Sequence, residues 1–483
     1  MTPETLGALS QGELVSLVVR LVEDNQRLAA EVASLKAELA KNSGNSSKPP
    51  SRDPAVERER QAEARRAKRS KGGQRRKPGK QPGAGGKTLE MAENPDEIVT
   101  HEPTQCSGCG AGLGETDELV GTRRRQVVDL PEPKPVVTEH QARTRRCGCC
   151  GTETAASFPA HVRAPVSYGP RVKAIVAYLL ARQHIPVGRA AEAMADLFGL
   201  RISTGTVDAV YAEAARRLGG FIAALVVLLR SLPVLHVDET TDRVGTKTCW
   251  MHVVSDRSYT LIHASVTRGW DAVKEVGVLI GYRGVVVHDR LAMYWKLKAK
   301  HQICAAHLLR DLASVAAVAS QTAWAEGLAR LLVEINDACD DARARGLRSL
   351  APTMKRSFSA RYDQLVDAGL AANPAPPAGR KRDPLQRDSY NLAVAFETHK
   401  PSILRYMHDL VVGMTNNQGE RDLRPVKLHR KISSCFKSQA GAERFATVRS
   451  YLSTTRKNDI PALEALTRLF NGDPWMPPQP QAA

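Results

Sequence analysis

Pro233-Val234-Leu235-His236-Val237-Asp238 and, further on, Gly284-Val285-Val286-Val287-His288-Asp289 decide how this chain is read. Each is a short apolar run of strand type that closes on an acid, the place where a buried strand surfaces at a site. Around them the pattern predicts strands over 234–237, 248–254 and 259–264. A helix follows near 270–279, and then a strand over 285–287. A third acid, Glu420, opens the cluster Glu420-Arg421-Asp422-Leu423-Arg424 in a basic, helix-compatible stretch.

Three antiparallel strands, a helix and a further strand match the ribonuclease-H-like topology. In that fold, acids from the first and fourth strands meet at the centre of the sheet and a third comes from a later helix. Asp238 and Asp289 stand where the first two belong, and Glu420 is the third. The chemistry accounts for three acids. Two-metal phosphodiester cleavage uses carboxylates to hold Mg²⁺ (or Mn²⁺) ions about 3.5–4 Å apart. Oxygen ligands suit such hard cations, whereas Cys and His do not. Glu239 competes with Asp238, but adjacent strand residues point to opposite faces, and Asp238 is the choice.

At 483 residues, two to four domains are expected. A net charge of +18 favours a polyanionic partner, most readily nucleic acid, over an acidic metabolite. Nine cysteines are too few for a disulfide scaffold at this length, and five of them cluster within 106–150. That points to a metal site in a reducing compartment. The N-terminus is polar and acidic before any apolar stretch, which argues against a signal peptide. The longest apolar run, 219–229, is about half a bilayer span and is closed by Arg230. The expectation is a soluble, cytoplasmic protein without membrane partners.

Leu14, Leu21, Leu28 and Leu35 recur every seven residues, with Val18, Asn25, Val32 and Leu39 in the second core column. This is the seam of a coiled coil, and a single Asn there favours a two-stranded pairing. The helix should stop at the polar, Pro-terminated run 42–50. From Ser51 to Lys87, thirteen Lys or Arg stand against four acids, and Lys77-Pro78-Gly79-Lys80 cannot hold a regular helix. This tether, with Lys77 and Lys80, reads as a salt-sensitive phosphate contact.

Cys106-Ser107-Gly108-Cys109 is followed, 37 residues later, by Cys147-Gly148-Cys149-Cys150. Two C-x-x-C turns can offer four thiolates to a structural Zn²⁺. Cys106, Cys109, Cys147 and Cys150 are the preferred set, with Cys149 an extra thiol. Next, 171–183, 187–198 and 205–218 read as helices, the last with Ser203 or Thr204 as its N-cap. Their spacing resembles a helix-turn-helix, but the acids Asp208 and Glu213 on the third helix favour a scaffold. Residues 301–345 show helical spacing of leucines, a helical insertion ahead of Glu420. Cys304 and His307, one turn apart there, could share a metal, but two ligands alone do not make a zinc site, and the preferred reading is a packed core pair. Arg421, Arg424, Lys427, Arg430, Lys431 and Lys437 extend a cationic surface beside Glu420, able to grip phosphates or, alternatively, to form surface salt bridges. Asn416 and Asn417 could cap or orient that helix.

Taken together, these features resemble a bacterial insertion-sequence transposase of the DDE type, specifically the insertion sequence 66 family. The resemblance runs through the leucine heptads and Asn42-Ser43-Gly44-Asn45-Ser46-Ser47-Lys48-Pro49-Pro50-Ser51. It continues in the basic Gly/Pro tract, both knuckles, His236-Val237-Asp238-Glu239-Thr240, His288-Asp289 and Cys304-Ala305-Ala306-His307-Leu308-Leu309-Arg310. It ends in Asn416-Asn417-Gln418-Gly419-Glu420-Arg421-Asp422-Leu423-Arg424-Pro425-Val426-Lys427 and the segment Arg449 to Lys457. It implies a catalytic trio of Asp238, Asp289 and Glu420, with Cys304-x-x-His307 a feature shared with related transposases. It also implies double-stranded DNA partners (terminal inverted repeats and target DNA), a homodimer or higher oligomer, and small accessory proteins encoded by the same element. Bound to DNA, such a protein would be nucleoid-associated. Three departures stand out: Ala84-Gly85 for a usual His-Lys pair, Gly419 for Ala, and Arg290 for a small residue.

The expected architecture is multidomain. A coiled coil (1–41) and a basic linker (42–95) lead to a zinc-ribbon-like module (96–165) and a helical domain (166–230). An α/β ribonuclease-H-like core (231–300 and 405–440) follows, interrupted by a helical insertion (301–404), with a C-terminal region (441–483). The competing readings are a catalytically inactive or domesticated sequence-specific DNA-binding protein and a site-unspecific nuclease.

Overall fold

A computed structural model describes residues 89–479 except 160, 161, 163, 318 and 376–383, together with residues 12, 15, 16, 19, 20 and 22. The leucine heptads and the basic tract with Lys77 and Lys80 lie outside the described residues. The chain divides near Val137 into two units.

Strands β1 (Thr144–Arg146) and β2 (Glu153–Ala155) form an antiparallel hairpin around Cys147 to Cys150. Four helices follow: α1 (Pro170–Ala181), α2 (Val187–Phe198), α3 (Thr204–Arg217) and α4 (Gly219–Ser231). Pro170 sits in the first turn of α1, where its missing N–H costs nothing. Gly199 ends α2 in the left-handed region. Ser203, not Thr204, caps α3: its side chain accepts the Thr206 N–H at 3.1 Å. The apolar run 219–229 lies within helix α4 and is packed in the core.

The sheet holds β3 (Val234–Val244), β4 (Lys247–Ser255), β5 (Thr260–Ser265), β6 (Val285–His288) and β7 (Lys300–Ile303), in the order β5-β4-β3-β6-β7. The pairs β3–β4 and β4–β5 are antiparallel, and β3–β6 and β6–β7 are parallel. Helix α5 (Trp270–Val276) links β5 towards β6 and ends at a left-handed Gly277, shorter than the expected helix over 270–279. Two further expectations need correcting. Strand β3 does not stop before Asp238 but runs on to Val244, because β4 pairs with it out to the turn at Gly245. Residues 300–303, expected to lead into the helical insertion, are a fifth strand. This order and connectivity are consistent with a ribonuclease-H-like fold.

The helical insertion comprises α6 (Ala305–Ala316), α7 (Thr322–Ala344), α8 (Pro352–Ala372), α9 (Pro384–Thr398), α10 (Lys400–Ile403) and α11 (Arg405–His408). Then come α12 (Asn417–Ser433), α13 (Gln439–Lys457) and α14 (Ala462–Asn471). Alternation divides the sheet cleanly. Leu235, Val237, Val254 and Val286 face one core shared with α1–α4, α13 and α14. Val285 and Val287 face the insertion, and Met251, Val253 and Ile262 meet Leu423, Val426 and Phe445 of α12 and α13. The helices of 170–231 therefore share a core with the sheet.

Both sheet edges are occupied. At β5, the Thr260 and Ile262 N–H groups donate to Thr454 Oγ1 (3.0 Å) and Ser450 Oγ (2.8 Å) of α13. Four residues of helix rise about 6 Å and two of strand about 6.6 Å, so hydroxyls at i and i+4 match alternate strand amides. At β7, Arg405 Nε donates to His301 O (2.8 Å), and the Tyr406 N–H donates to Gln302 Oε1 (3.0 Å).

Candidate active site

The register positions the acids. Val234, Leu235 and His236 lie beside Val285, Val286 and Val287. Carried two places on, the same register sets Asp238 beside Asp289. Since Leu235 and Val237 face the helical core, His236 and Asp238 face the other way, towards α12. Glu239, by the same parity, points back across the sheet. There both of its oxygens are taken: Arg268 donates to Oε1 through Nε (3.1 Å) and Nη2 (2.7 Å), and Tyr294 donates to Oε2 (2.8 Å). Glu239 is buried and committed, which leaves Asp238 as the acid on the α12 side.

Helix α12 brings Glu420 to that side. Asn416, buried just ahead of it, reaches across rather than capping: its Nδ2 donates to Val237 O at 2.7 Å. Its Oδ1 then faces His236, so His236 Nδ1 carries the proton and donates at 3.1 Å. Of the two roles open to Asn416, capping and orienting, the contacts fit the second: a bridge from the helix start to the residues flanking Asp238. Gly419 accounts for itself here. A Cβ at that position would come within 3.1 Å of Asn416 Oδ1 and 3.2 Å of Nδ2, closer than nearly all real contacts.

The acids feel one another. Burial chiefly, and then the charges of Glu239, Asp289 and Glu420, push the Asp238 carboxyl up to about 7, against a hydrogen bond from the Glu239 N–H. Glu420 Oε1 is buried with no hydrogen-bond partner. Such a set, all oxygen and mutually repelling when ionised, fits a divalent cation of the Mg²⁺ type.

The loop after β6 is held rigidly. The Arg290 N–H donates to His288 Nδ1 (3.2 Å), which places the His288 proton on Nε2, facing His301 Nδ1 (3.0 Å). His301 Nε2 in turn donates to Leu297 O (3.3 Å). Burial pushes His288 down to about 3, so this relay stays neutral. Arg290 sits at φ 77°, a left-handed position unusual for a residue with a side chain, and its guanidinium pairs with Asp311. Asp289 Oδ1 accepts the Leu291 N–H at 3.0 Å.

Arg421, Arg424, Lys427, Arg430 and Lys431 are all exposed along α12, and none forms an ion pair among the described residues. The salt-bridge alternative therefore finds no partners here. Asp422, by contrast, is buried and held by Lys457 Nζ (2.7 Å) and Gln418 Nε2 (2.9 Å), a structural acid. On α3, Glu213 pairs with Lys173 and Arg217, and Asp208 with Arg444. These acids stitch the helix into its own fold. Cys304 and His307 do not form a pair alone: Glu420 joins them. Arg268, Tyr294 and the His288–His301 relay went unread in the sequence; only the motif His236 to Thr240 hinted at ordered surroundings.

The two knuckles, each within its own unit, share one backbone pattern. Cys106 N–H donates to Ala111 O and Gly110 N–H to Cys106 O; Cys147 N–H donates to Thr152 O and Gly151 N–H to Cys147 O. Gly110 (φ 76°) and Gly151 (φ 72°) close both turns in the left-handed region. Hydrogen bonds, from Thr152 first and also from Cys147, lower the Cys150 thiol.

No helix among the described residues is long and apolar enough to cross a membrane. Comparison with known proteins agrees with this geometry. The zinc-finger binding domain of transposase IS66 matches residues 103–151, and a family of unknown function matches residues 1–82. The uncharacterized protein y4hP of Sinorhizobium fredii (strain NBRC 101917 / NGR234) is 24% identical over 442 residues, covering 79% of this chain and 74% of that protein. The Transposase IS66 family matches residues 165–444. That match spans more than half of the chain, so this protein belongs to the IS66 family of transposases, whose function in general is DNA cleavage and strand transfer.

Proposed function

We propose that this chain binds the terminal inverted repeats of its own element, cleaves a phosphodiester at each 3′ end and joins the freed 3′-hydroxyl to target DNA. What supports the reading is the parallel register that, carried on, sets Asp238 beside Asp289, with Glu420 on the helix whose start Asn416 ties to Val237. These three carboxylates would hold Mg²⁺ or Mn²⁺. When bound, such ions activate the attacking oxygen and stabilise the leaving one.

The chain's own contributions are positional. Asn416 fixes the start of α12 against β3, and the His288–His301 relay fixes the loop that bears Asp289. Arg421, Arg424, Lys427, Arg430 and Lys431 offer unpaired cations to the phosphates flanking the scissile bond. Each knuckle offers two thiolates to a structural Zn²⁺, Cys106 with Cys109 and Cys147 with Cys150. The N-terminal segments would pair subunits and recognise the ends, and accessory proteins of the same element are candidate partners.

The test is labelled terminal-repeat DNA with wild type and Asp238→Asn, scored for nicking and for joining. Wild type should do both. Asp238→Asn should lose roughly 10³-fold or more of each, while end binding in a gel-shift assay stays within a few-fold. Undiminished cleavage by Asp238→Asn would sink the assignment. Nicking without joining would identify a nuclease, and binding alone a DNA-binding protein without catalysis.

A further inference from the structure

Cys304, His307 and Glu420 each present a ligand atom, and these atoms lie within 4.8 Å of one another. The residues come from two helix starts: Cys304 heads α6, His307 is in its first turn, and Glu420 is in the first turn of α12. Both starts are stitched together. The Ala305 N–H donates to Met414 O (3.1 Å) and the Asn416 N–H to Cys304 Sγ (3.2 Å).

Two further atoms are left over. His307 Nδ1 and Glu420 Oε1 are both buried and have no hydrogen-bond partner. Buried polar atoms of this kind are costly to leave unmatched, so a ligand that meets them would stabilise the site. Sulfur, imidazole nitrogen and carboxylate oxygen together suit Zn²⁺, and the sulfur and nitrogen are wrong for Mg²⁺. Ligands of a tetrahedral zinc stand about 3.3–3.8 Å apart.

From this geometry we infer that Cys304, His307 and Glu420 form a second zinc site, separate from the cysteine knuckles, which clips the first helix of the insertion to the helix carrying Glu420. A carboxylate has two oxygens, so Glu420 can bind zinc with one and face Asp238 with the other. Three protein ligands leave the fourth position open. The site would hold Glu420 in place across an insertion whose length alone does nothing to position it. Zinc content reads this inference without any DNA, so it stands or falls separately from strand cleavage.

The experiment measures zinc by mass spectrometry in the purified full-length chain carrying Cys106→Ser and Cys147→Ser, which disables the knuckles. About one tightly held equivalent should remain. Cobalt in its place should show a thiolate-to-metal absorption band in the near ultraviolet. Adding Cys304→Ser should remove both the zinc and the band. Because Cys304 is buried, His307→Gln provides a gentler variant: its metal-free melting temperature should equal the parent's, while the rise on adding zinc should disappear. Asp238→Asn should retain the zinc. The inference is overturned if the knuckle variant holds no zinc. It is equally overturned if the zinc and cobalt signals survive both Cys304→Ser and His307→Gln, or if bound cobalt shows no thiolate band.

Discussion

Between residues 89 and 159 no described residue is buried, and Val120, Val127 and Val136 are each more than nine-tenths exposed. From α1 onward, three apolar clusters run beneath every face of the sheet. The first stretch has shape only where backbone turns close on themselves, at the two knuckles and at Gln126, which bonds both N–H and C=O of Ala92. The second is stabilised by apolar burial at about 25 cal/mol per Å². The contrast teaches that the knuckle stretch must take its stability from outside its own side chains, from metal or from DNA. The catalytic unit can afford a cluster of repelling acids because the core surrounding it is large.

The comparison can be broken most forcefully at the buried pair Asp422–Lys457, whose side chains are only 3% and 8% exposed. Burial draws the Lys457 ammonium below its usual range, with Asp422 opposing. Asp422→Asn should cost about 3–5 kcal/mol, seen as a lowered midpoint in urea, because a buried cation loses its partner. A cost under about 1 kcal/mol would mean that the acid does not anchor α12.

Chelation sharpens the contrast from the other side. Removing zinc should expose residues 89–159 to limited proteolysis while the chief melting transition of the remainder shifts by only a few degrees. Cleavage in the sheet at the same rate would contradict the division. A smaller effect belongs to the exposed cations. Arg424→Ala with Lys427→Ala should lower the slope of log affinity against log salt by about two for any duplex. An unchanged slope would take α12 away from DNA. The smallest effect is expected of Gly419→Ala. Alanine adds about 1 kcal/mol of helix propensity, yet its Cβ presses on Asn416. Stability should barely change while cleavage falls a few-fold; unchanged cleavage would show that Asn416 moves aside freely.

Much of this was legible in the sequence, and for stated physical reasons. Short apolar runs before Asp238 and Asp289 mark strands, and strand parity separates Asp238 from Glu239. Ser203 and Gly199 announce helix ends through ordinary capping. Strand β7 was hidden because Lys300-His301-Gln302-Ile303 has no apolar alternation. Gln302 is buried there only because Ile403 O and the Tyr406 N–H satisfy its amide. Whether Asn416 caps or orients its helix stayed open in the sequence, because nothing local reveals a strand carbonyl 179 residues away. Gly419 looked like a loss of helix propensity until that neighbour was known. The meeting of Glu420 with Cys304 and His307 is likewise a property of tertiary packing, beyond the reach of any local pattern.

The hydroxyls of Ser450 and Thr454 that close the edge of β5 have a consequence for how the protein is made. Thr260 must wait for a partner 194 residues later in the chain. At about 5–20 residues per second of synthesis, that edge stays open for roughly ten seconds or more on the ribosome. By the time α13 is made all five strands of the sheet have been synthesised, yet its β5 edge is not sealed. A product ending before α13 would carry a permanently open strand, the kind of surface that recruits other chains. Translation to the last helices is therefore part of finishing the sheet, and a prematurely stopped copy of this protein is expected to aggregate, not to persist as a soluble fragment.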